Sequence, residues 1–269
     1  MVGAILGDII GSRHEFNNIK TKDFELFTPD CDFTDDTVMT CAVAQALLEA
    51  DDEGCWENLK KKTVEVMQRI GRQYPYCGFG GMFFNWMFTN NPKPYNSFGN
   101  GAAMRISPVP FFFKDDRAIN VAHDVTSVSH NHPEGMKGAE AATVATLMAL
   151  HGCSKEEIRR NIEDKYYISK YTVDEYRGII RGHGEETCQV SMPEAFQCFY
   201  EGNSYEDVMR NCVSIGGGSD TLCAIAGGIA EAYYGIPDEL KRMLPVYLDD
   251  QLMDIVERFE AKVGTPLNI

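Results

Sequence analysis

Phe33-Thr34-Asp35-Asp36-Thr37 runs straight into Val38-Met39-Thr40-Cys41-Ala42-Val43-Ala44-Gln45-Ala46-Leu47-Leu48-Glu49-Ala50. Apolar side chains at Val38, Cys41, Ala42, Ala44 and Leu48 recur at helical spacing and make one continuous stripe. The same period appears along most of the chain. Residues 58–74 carry Leu59, Val64, Met67 and Ile70 before Pro75 stops them. Residues 135–152 are built on Ala139, Ala141, Ala142, Ala145 and Ala149, and residues 154–165 open with a Ser154-x-x-Glu157 capping box. Residues 192–201, 204–212, 222–234, 237–243 and 248–263 read as further helices. No alternating run of strand length occurs. The pattern predicts an all-α fold, a single compact helical domain over residues 1–269. Two stretches, 78–103 and 166–189, read as long irregular connections, which in compact domains often carry function.

The bulk composition narrows the class of partner. With 269 residues the chain is long enough to bury a substantial core. A net charge of −15 argues against a nucleic-acid duplex and against an anionic membrane surface. It leaves room for a small phosphate ligand in a locally positive pocket. Nine cysteines, none spaced Cys-x-x-Cys, predict reduced, mostly buried thiols. The apolar start of the chain is broken by Asp8 with no basic residue before it, a poor signal peptide, and no stretch has the length of a membrane span. Together these predict a cytoplasmic protein.

The acids at the start of the first stripe have a counterpart. Ser219-Asp220-Thr221 follows Gly216-Gly217-Gly218 and precedes another helical run. Each segment on its own is a suitable helix cap, since Thr, Ser and Asp accept from first-turn amides and acids suit the dipole. Each also offers the hydroxyl and carboxylate oxygens that a hard divalent cation takes. Two adjacent aspartates exceed what a cap needs. If the two helix starts meet, they build an oxygen-lined cation site that neither builds alone.

Three more segments carry chemistry. Residues 97–105, Ser-Phe-Gly-Asn-Gly-Ala-Ala-Met-Arg, match a backbone cradle for an anion, with Arg105 available to a phosphate or to a structural carboxylate; a plain Asn-Gly turn is the alternative. His130 and His132 can bind a metal or a ligand, or one can cap the following helix while the other is solvated. Asp8 within an apolar helix needs partners to be tolerated and reads as a structural acid, while Glu15 stands at the helix end, placed to reach a site.

Taken together, these segments resemble the ADP-ribosylglycohydrolase family. The residues that carry the resemblance are Gly7-Asp8-x-x-Gly11-Ser12 with Glu15, Phe33-Thr34-Asp35-Asp36-Thr37, Gly99-Asn100-Gly101-x-x-Met104-Arg105, Ser129-His130 and Ser219-Asp220-Thr221, in family order across essentially the whole chain. The resemblance implies an all-α fold with a binuclear Mg²⁺ or Mn²⁺ site at converging helix N-termini. It implies hydrolysis of the bond between ADP-ribose and a protein side chain or related conjugate, with arginine the favoured acceptor. Carried over, Thr34, Asp35, Asp36, Asp220 and Thr221 hold metal; Glu15, Asp35 and Asp36 are catalytic; and Gly99, Asn100, Gly101, Ala102, Met104, Arg105 and His130 bind the ADP-ribose. One position departs. The family pattern is Gly-Gly-Asp-x-Asp-Thr, and here Gly218 replaces the first aspartate. That removes a carboxylate from the second cation. The alternative reading is therefore an ADP-ribose-binding or regulatory protein with impaired catalysis.

Overall fold

The computed structural model describes residues 1–180 and 186–267. In chain order the helices are α1 (Val2–Ser12), α2 (Asp35–Glu53), α3 (Leu59–Gly71), α4 (Gly81–Phe88), α5 (Gly101–Met104), α6 (Pro108–Phe112), α7 (Arg117–Ser127) and α8 (Pro133–Leu150). They continue with α9 (Lys155–Lys165), α10 (Val173–Arg177), α11 (Cys188–Glu201), α12 (Tyr205–Ile215), α13 (Ser219–Tyr234), α14 (Asp238–Lys241), α15 (Leu244–Tyr247) and α16 (Asp250–Val263). Among the described residues there is no β-strand; Gly99 and Thr187 form an isolated antiparallel bridge. The buried apolar side chains form one contiguous cluster. No helix among the described residues is long and apolar enough to cross a membrane, and none of the nine cysteines forms a disulfide.

Two buried helices set the geometry of everything else. Gly3, Gly7 and Gly11 of α1 fall on one face, and that face lies directly on the backbone of α13. A Cβ at Gly7 would stand 2.2 Å from the Cys223 carbonyl oxygen, and one at Gly11 would stand 2.4 Å from that of Ser219. Only glycine lets the two backbones approach so closely. The close approach places Asp8 of α1 beside the first turn of α13. The N-terminus of α2 then closes on both.

The expected stretches differ in detail from the observed elements. α2 begins at Asp35, so its first two helical residues are the paired acids, and Gly54 ends it in the left-handed conformation. The capping box at α9 is present as read. Residues 78–103, expected to be an irregular connection, contain α4 and α5; the apolar Gly-Met-Phe-Phe-Asn-Trp-Met-Phe of α4 is too short to show a full helical period. Residues 166–189 contain α10, with its own Thr172–Glu175 capping box, and residues 181–185 of that stretch lie outside the described residues. Pro193, where a helix was expected only to begin, lies inside α11. Its position in the second turn leaves little of the ladder to break.

Candidate active site

Asp8 has no exposed surface, and its burial pushes its carboxyl up to about 6 against the hydrogen bonds that stabilise its charge. Four donors converge on it from the start of α2: Thr34 N at 2.8 Å, Thr34 Oγ1 at 2.7 Å, Thr37 N at 3.0 Å and Thr37 Oγ1 at 2.5 Å. A carboxylate so saturated is spent on structure. It locks α1 to the first turn of α2 and fixes Thr34, which also accepts from Asp36 N as the N-cap.

Capping does not use up Asp36. Its side chain is 1% exposed; Oδ2 accepts from Thr221 Oγ1 of α13 at 3.2 Å, and Oδ1 has no partner. Asp220, 4% exposed, likewise leaves Oδ1 unsatisfied. The ligand atoms of Asp8, Asp36 and Asp220 lie within 4.8 Å of one another. Burial raises Asp36 and Asp220 well above the carboxylate range, Asp36 further through Asp220 and Asp220 further through Glu15. Asp35 is half-buried and pushed up to about 7, by burial and then by Asp8. Its amide donates to the Cys77 carbonyl at 2.9 Å, and Gly78, at φ 113°, passes close to its carboxylate. Buried carboxylate oxygens without donors, beside two threonine hydroxyls, fit a hard divalent cation. The residues that would hold it are Thr34, Asp35, Asp36, Asp220 and Thr221.

Glu15 follows the end of α1 and reaches the same cluster, close enough to Asp220 for each carboxyl to act on the other. Burial raises its carboxyl, and Glu186 and Asp8 add to the rise. Asn18 explains its placement. Gly217 N donates to Asn18 Oδ1 at 2.7 Å, and Asn18 Nδ2 returns a bond to Gly217 O at 3.2 Å, so the chain after α1 is clamped to the glycine run before α13. Gly218 itself has φ −72°, and a Cβ there would meet Asp220 Oδ1 at 3.7 Å with nothing else within 4 Å.

The opposite wall is basic. Arg105 is 1% exposed, has no carboxylate partner among the described residues, and leaves Nε unpaired. Burial lowers it to about 10. Its Nη2 donates to Ser129 Oγ at 2.7 Å and its guanidinium lies 5.5 Å from the Phe83 ring centroid. His130, buried beside it, is held well below its usual range by burial and then by the Arg105 charge. Most of the expected cradle is already engaged. The amides of Gly99, Asn100, Ala102, Ala103 and Met104 donate within the loop or to Glu186, and α5 has only four residues, too few for a strong dipole. Gly101 N–H alone of these has no hydrogen bond among the described residues.

Both walls line one cavity of about 640 Å³. A sequence model of the ADP-ribosylglycohydrolase family matches residues 1–267. The chain belongs to the ADP-ribosylglycohydrolase family. It is accordingly a glycohydrolase. It is 25% identical to the human ADP-ribosylhydrolase ARH3 over 88% of this chain and 84% of that protein. It is 25% identical to the ADP-ribosylarginine hydrolase Tri1 of Pseudomonas putida over 51% of this chain and 39% of that one. A solved ADP-ribosylglycohydrolase-related protein complex has the same fold, with a TM-score of 0.72 over 98% of this chain and 96% of its own, at 21% identity.

In this ADP-ribosylglycohydrolase the residues expected at the site from sequence, Glu15, Thr34, Asp35, Asp36, Asp220, Thr221 and 99–105 with His130, come together around that cavity or against its walls. Of the histidine pair, His132 caps α8 by accepting from Glu134 N, whereas His130 is buried rather than solvated. Sequence reasoning missed Asn18 and Glu186. Glu186 faces Glu15 and Asp35 across the cavity from a stretch read only as irregular, and its carbonyl accepts from Asn100 N at 3.0 Å. A single acid in a charged loop carries no periodic or capping signal that would single it out.

Proposed function

We propose that this glycohydrolase removes ADP-ribose from a modified protein side chain, arginine favoured, using Mg²⁺ or Mn²⁺. One observation carries the reading. A single cavity has buried carboxylate oxygens without donors at one end and a buried, carboxylate-free guanidinium at the other. ADP-ribose has matching ends, a ribose diol suited to a carboxylate-held cation and a diphosphate suited to His130 and Gly101 N–H with the Arg105 charge behind them. A bound divalent cation supplies positive charge that orients the ribose hydroxyls and makes a neighbouring water easier to deprotonate.

The chain's own groups do the rest. Glu15, made more basic by burial and by its acidic neighbours, takes a proton from the attacking water. The water oxygen bonds to the anomeric carbon, the bond to the acceptor nitrogen breaks, and the acceptor leaves with that electron pair and the proton Glu15 received. The carboxylates around the cavity favour the positive charge that develops on the sugar. At the mouth, exposed Phe16 and Glu186 suit a flat cation, which supports arginine over a neutral acceptor. The name of one relative, an ADP-ribosylarginine hydrolase, points to arginine. Without the carboxylate at 218, the second of two cations binds the more weakly.

The deciding experiment incubates the protein with ADP-ribosyl-arginine and ADP-ribosyl-serine peptides, with and without Mg²⁺ or Mn²⁺, and follows free ADP-ribose. Metal-dependent release, faster from arginine, is expected. Binding of ADP-ribose without release from either peptide would leave an ADP-ribose-binding protein instead.

A further inference from the structure

The imidazole of His130 is held from one side only. Nδ1 lies 2.8 Å from Ser129 Oγ and 3.4 Å from Arg105 Nη2. The guanidinium has no acceptor capacity, so toward Nδ1 it can only donate. Ser129 Oγ already accepts from Arg105 Nη2 at 2.7 Å, and among the described residues Nδ1 is the one acceptor within reach of its own proton. Two donors therefore face Nδ1, and Nδ1 must be the ring's lone-pair nitrogen. A neutral imidazole then carries its proton on Nε2.

The other side of the ring faces the loop of residues 99–101. A Cβ at Gly101 would lie 3.1 Å from His130 Nε2, and one at Gly99 would lie 3.7 Å from it. The free Gly101 N–H belongs to the same spot, and His130, Gly99, Gly101 and Arg105 all line the cavity. Neither glycine has a left-handed φ; a side chain at Gly101 would crowd the imidazole, whereas one at Gly99 would meet it only in ordinary contact.

We propose that Arg105 and Ser129 are positioning residues that lock His130 as the neutral Nε2–H tautomer, so that Nε2–H and Gly101 N–H form a two-donor seat for one anionic oxygen. On the ADP-ribose reading above, that oxygen belongs to the diphosphate. Arg105 acts through the imidazole, with its charge set one residue back from the ligand. The arrangement accounts for a buried arginine without a carboxylate: a carboxylate there would cancel the field at the seat and offer Nδ1 an acceptor, reversing the tautomer.

The test begins on the ligand-free full-length protein. Long-range ¹H–¹⁵N correlation at neutral pH, with the ring assigned by His130→Gln, is expected to show an unprotonated Nδ1 and a protonated Nε2. In Ser129→Ala the tautomer populations should become mixed. Should Arg105→Met fail to fold, Ser129→Ala still carries this readout. Inorganic pyrophosphate is then titrated in. The His130 Nε2–H and Gly101 amide resonances should move together, and ADP-ribose affinity by calorimetry should fall about tenfold or more in His130→Ala but only a few-fold in His130→Gln, whose amide N–H replaces Nε2–H. An Nδ1–H tautomer or an imidazolium in the parent overturns the inference whatever the protein hydrolyses. So does a parent whose Nε2–H is unmoved by both pyrophosphate and ADP-ribose. Loss of hydrolysis with these signatures intact would count against the proposed reaction and leave the seat standing.

Discussion

The two ends of the cavity solve opposite electrostatic problems in different ways. At the acidic end, carboxylates from α1, α2 and α13 are packed together with like charge. Asp8 is fully satisfied by Thr34 and Thr37, while Asp36 Oδ1 and Asp220 Oδ1 are left without donors. At the basic end a lone buried cation is spread over a ring, a hydroxyl and an imidazole, and no acid among the described residues pairs with it. The acidic end is assembled from residues far apart in sequence and leaves carboxylate oxygens of Asp36 and Asp220 without donors. The basic end comes mainly from 99–105 and 129–130 and leaves donors open, Arg105 Nε and Gly101 N–H. The lesson is that a saturated acid such as Asp8 belongs to the scaffold, and an unsaturated one at the same depth belongs to the chemistry. Proximity alone groups all three aspartates, whereas the hydrogen-bond census separates them.

The largest effect should come from breaking the acidic end at its open atoms. Asp36→Ala or Asp35→Ala is expected to reduce hydrolysis by about a thousandfold or more, of the order seen when a group essential to transition-state charge is removed. Circular dichroism should stay helical, because Thr34 keeps the cap. Loss of helicity with normal turnover in the refolded fraction would mean that the acids serve only as caps. Asp8→Asn asks whether the scaffold acid acts through its neighbours. It replaces a hub of four bonds by an amide that accepts on one side only, and cation affinity should drop about ten- to a hundredfold, as for second-layer ligand partners.

Removing the cation comes next. Saturating Mg²⁺ or Mn²⁺ should raise the melting temperature by about 5–10 °C, since a ligand at a hundred times its Kd adds about 2.7 kcal/mol. The pH dependence has a definite sign. Asp8 at about 6 and Asp35 at about 7 are raised in the fold, so the metal-free cluster favours folding at low pH, and that contribution is lost as pH climbs through 6 to 7. In chelator the melting temperature should therefore fall between pH 5 and pH 8, and cation should rescue more at pH 8. An unchanged gap across that range would show that the carboxylates do not share a cation. The smallest effect is expected from Gly218→Asp. The backbone there is not left-handed and a Cβ meets only Asp220 Oδ1 at 3.7 Å, so the carboxylate fits without strain. Calorimetry should show tighter binding of a second cation by about three- to tenfold, with a modest rise in turnover, because carboxylate count tunes affinity for a hard metal. A parent that already binds two cations tightly would mean that another group fills the position.

By itself the sequence determined the all-helical class, the start of α2 at the acids, the capping box of α9, the break before Pro75, and the segments that carry the family resemblance. These are local properties. A helical period, a cap or a motif is written within a few residues, and neighbours along the chain suffice to read it. Only the tertiary structure decided which of those acids are open. That Asp8 is saturated, that Asp36 meets Thr221, that Asn18 draws Glu15 to Asp220 and that Glu186 faces them all follow from the packing of α1 on α13. The glycines of α1 allow that packing, but their spacing does not say which helix will lie on them. The same holds for Arg105: its place in a motif is legible, whereas its lack of a carboxylate, and the tautomer it imposes on His130, arise from what folding brings within about 3 Å, the range at which hydrogen bonds act.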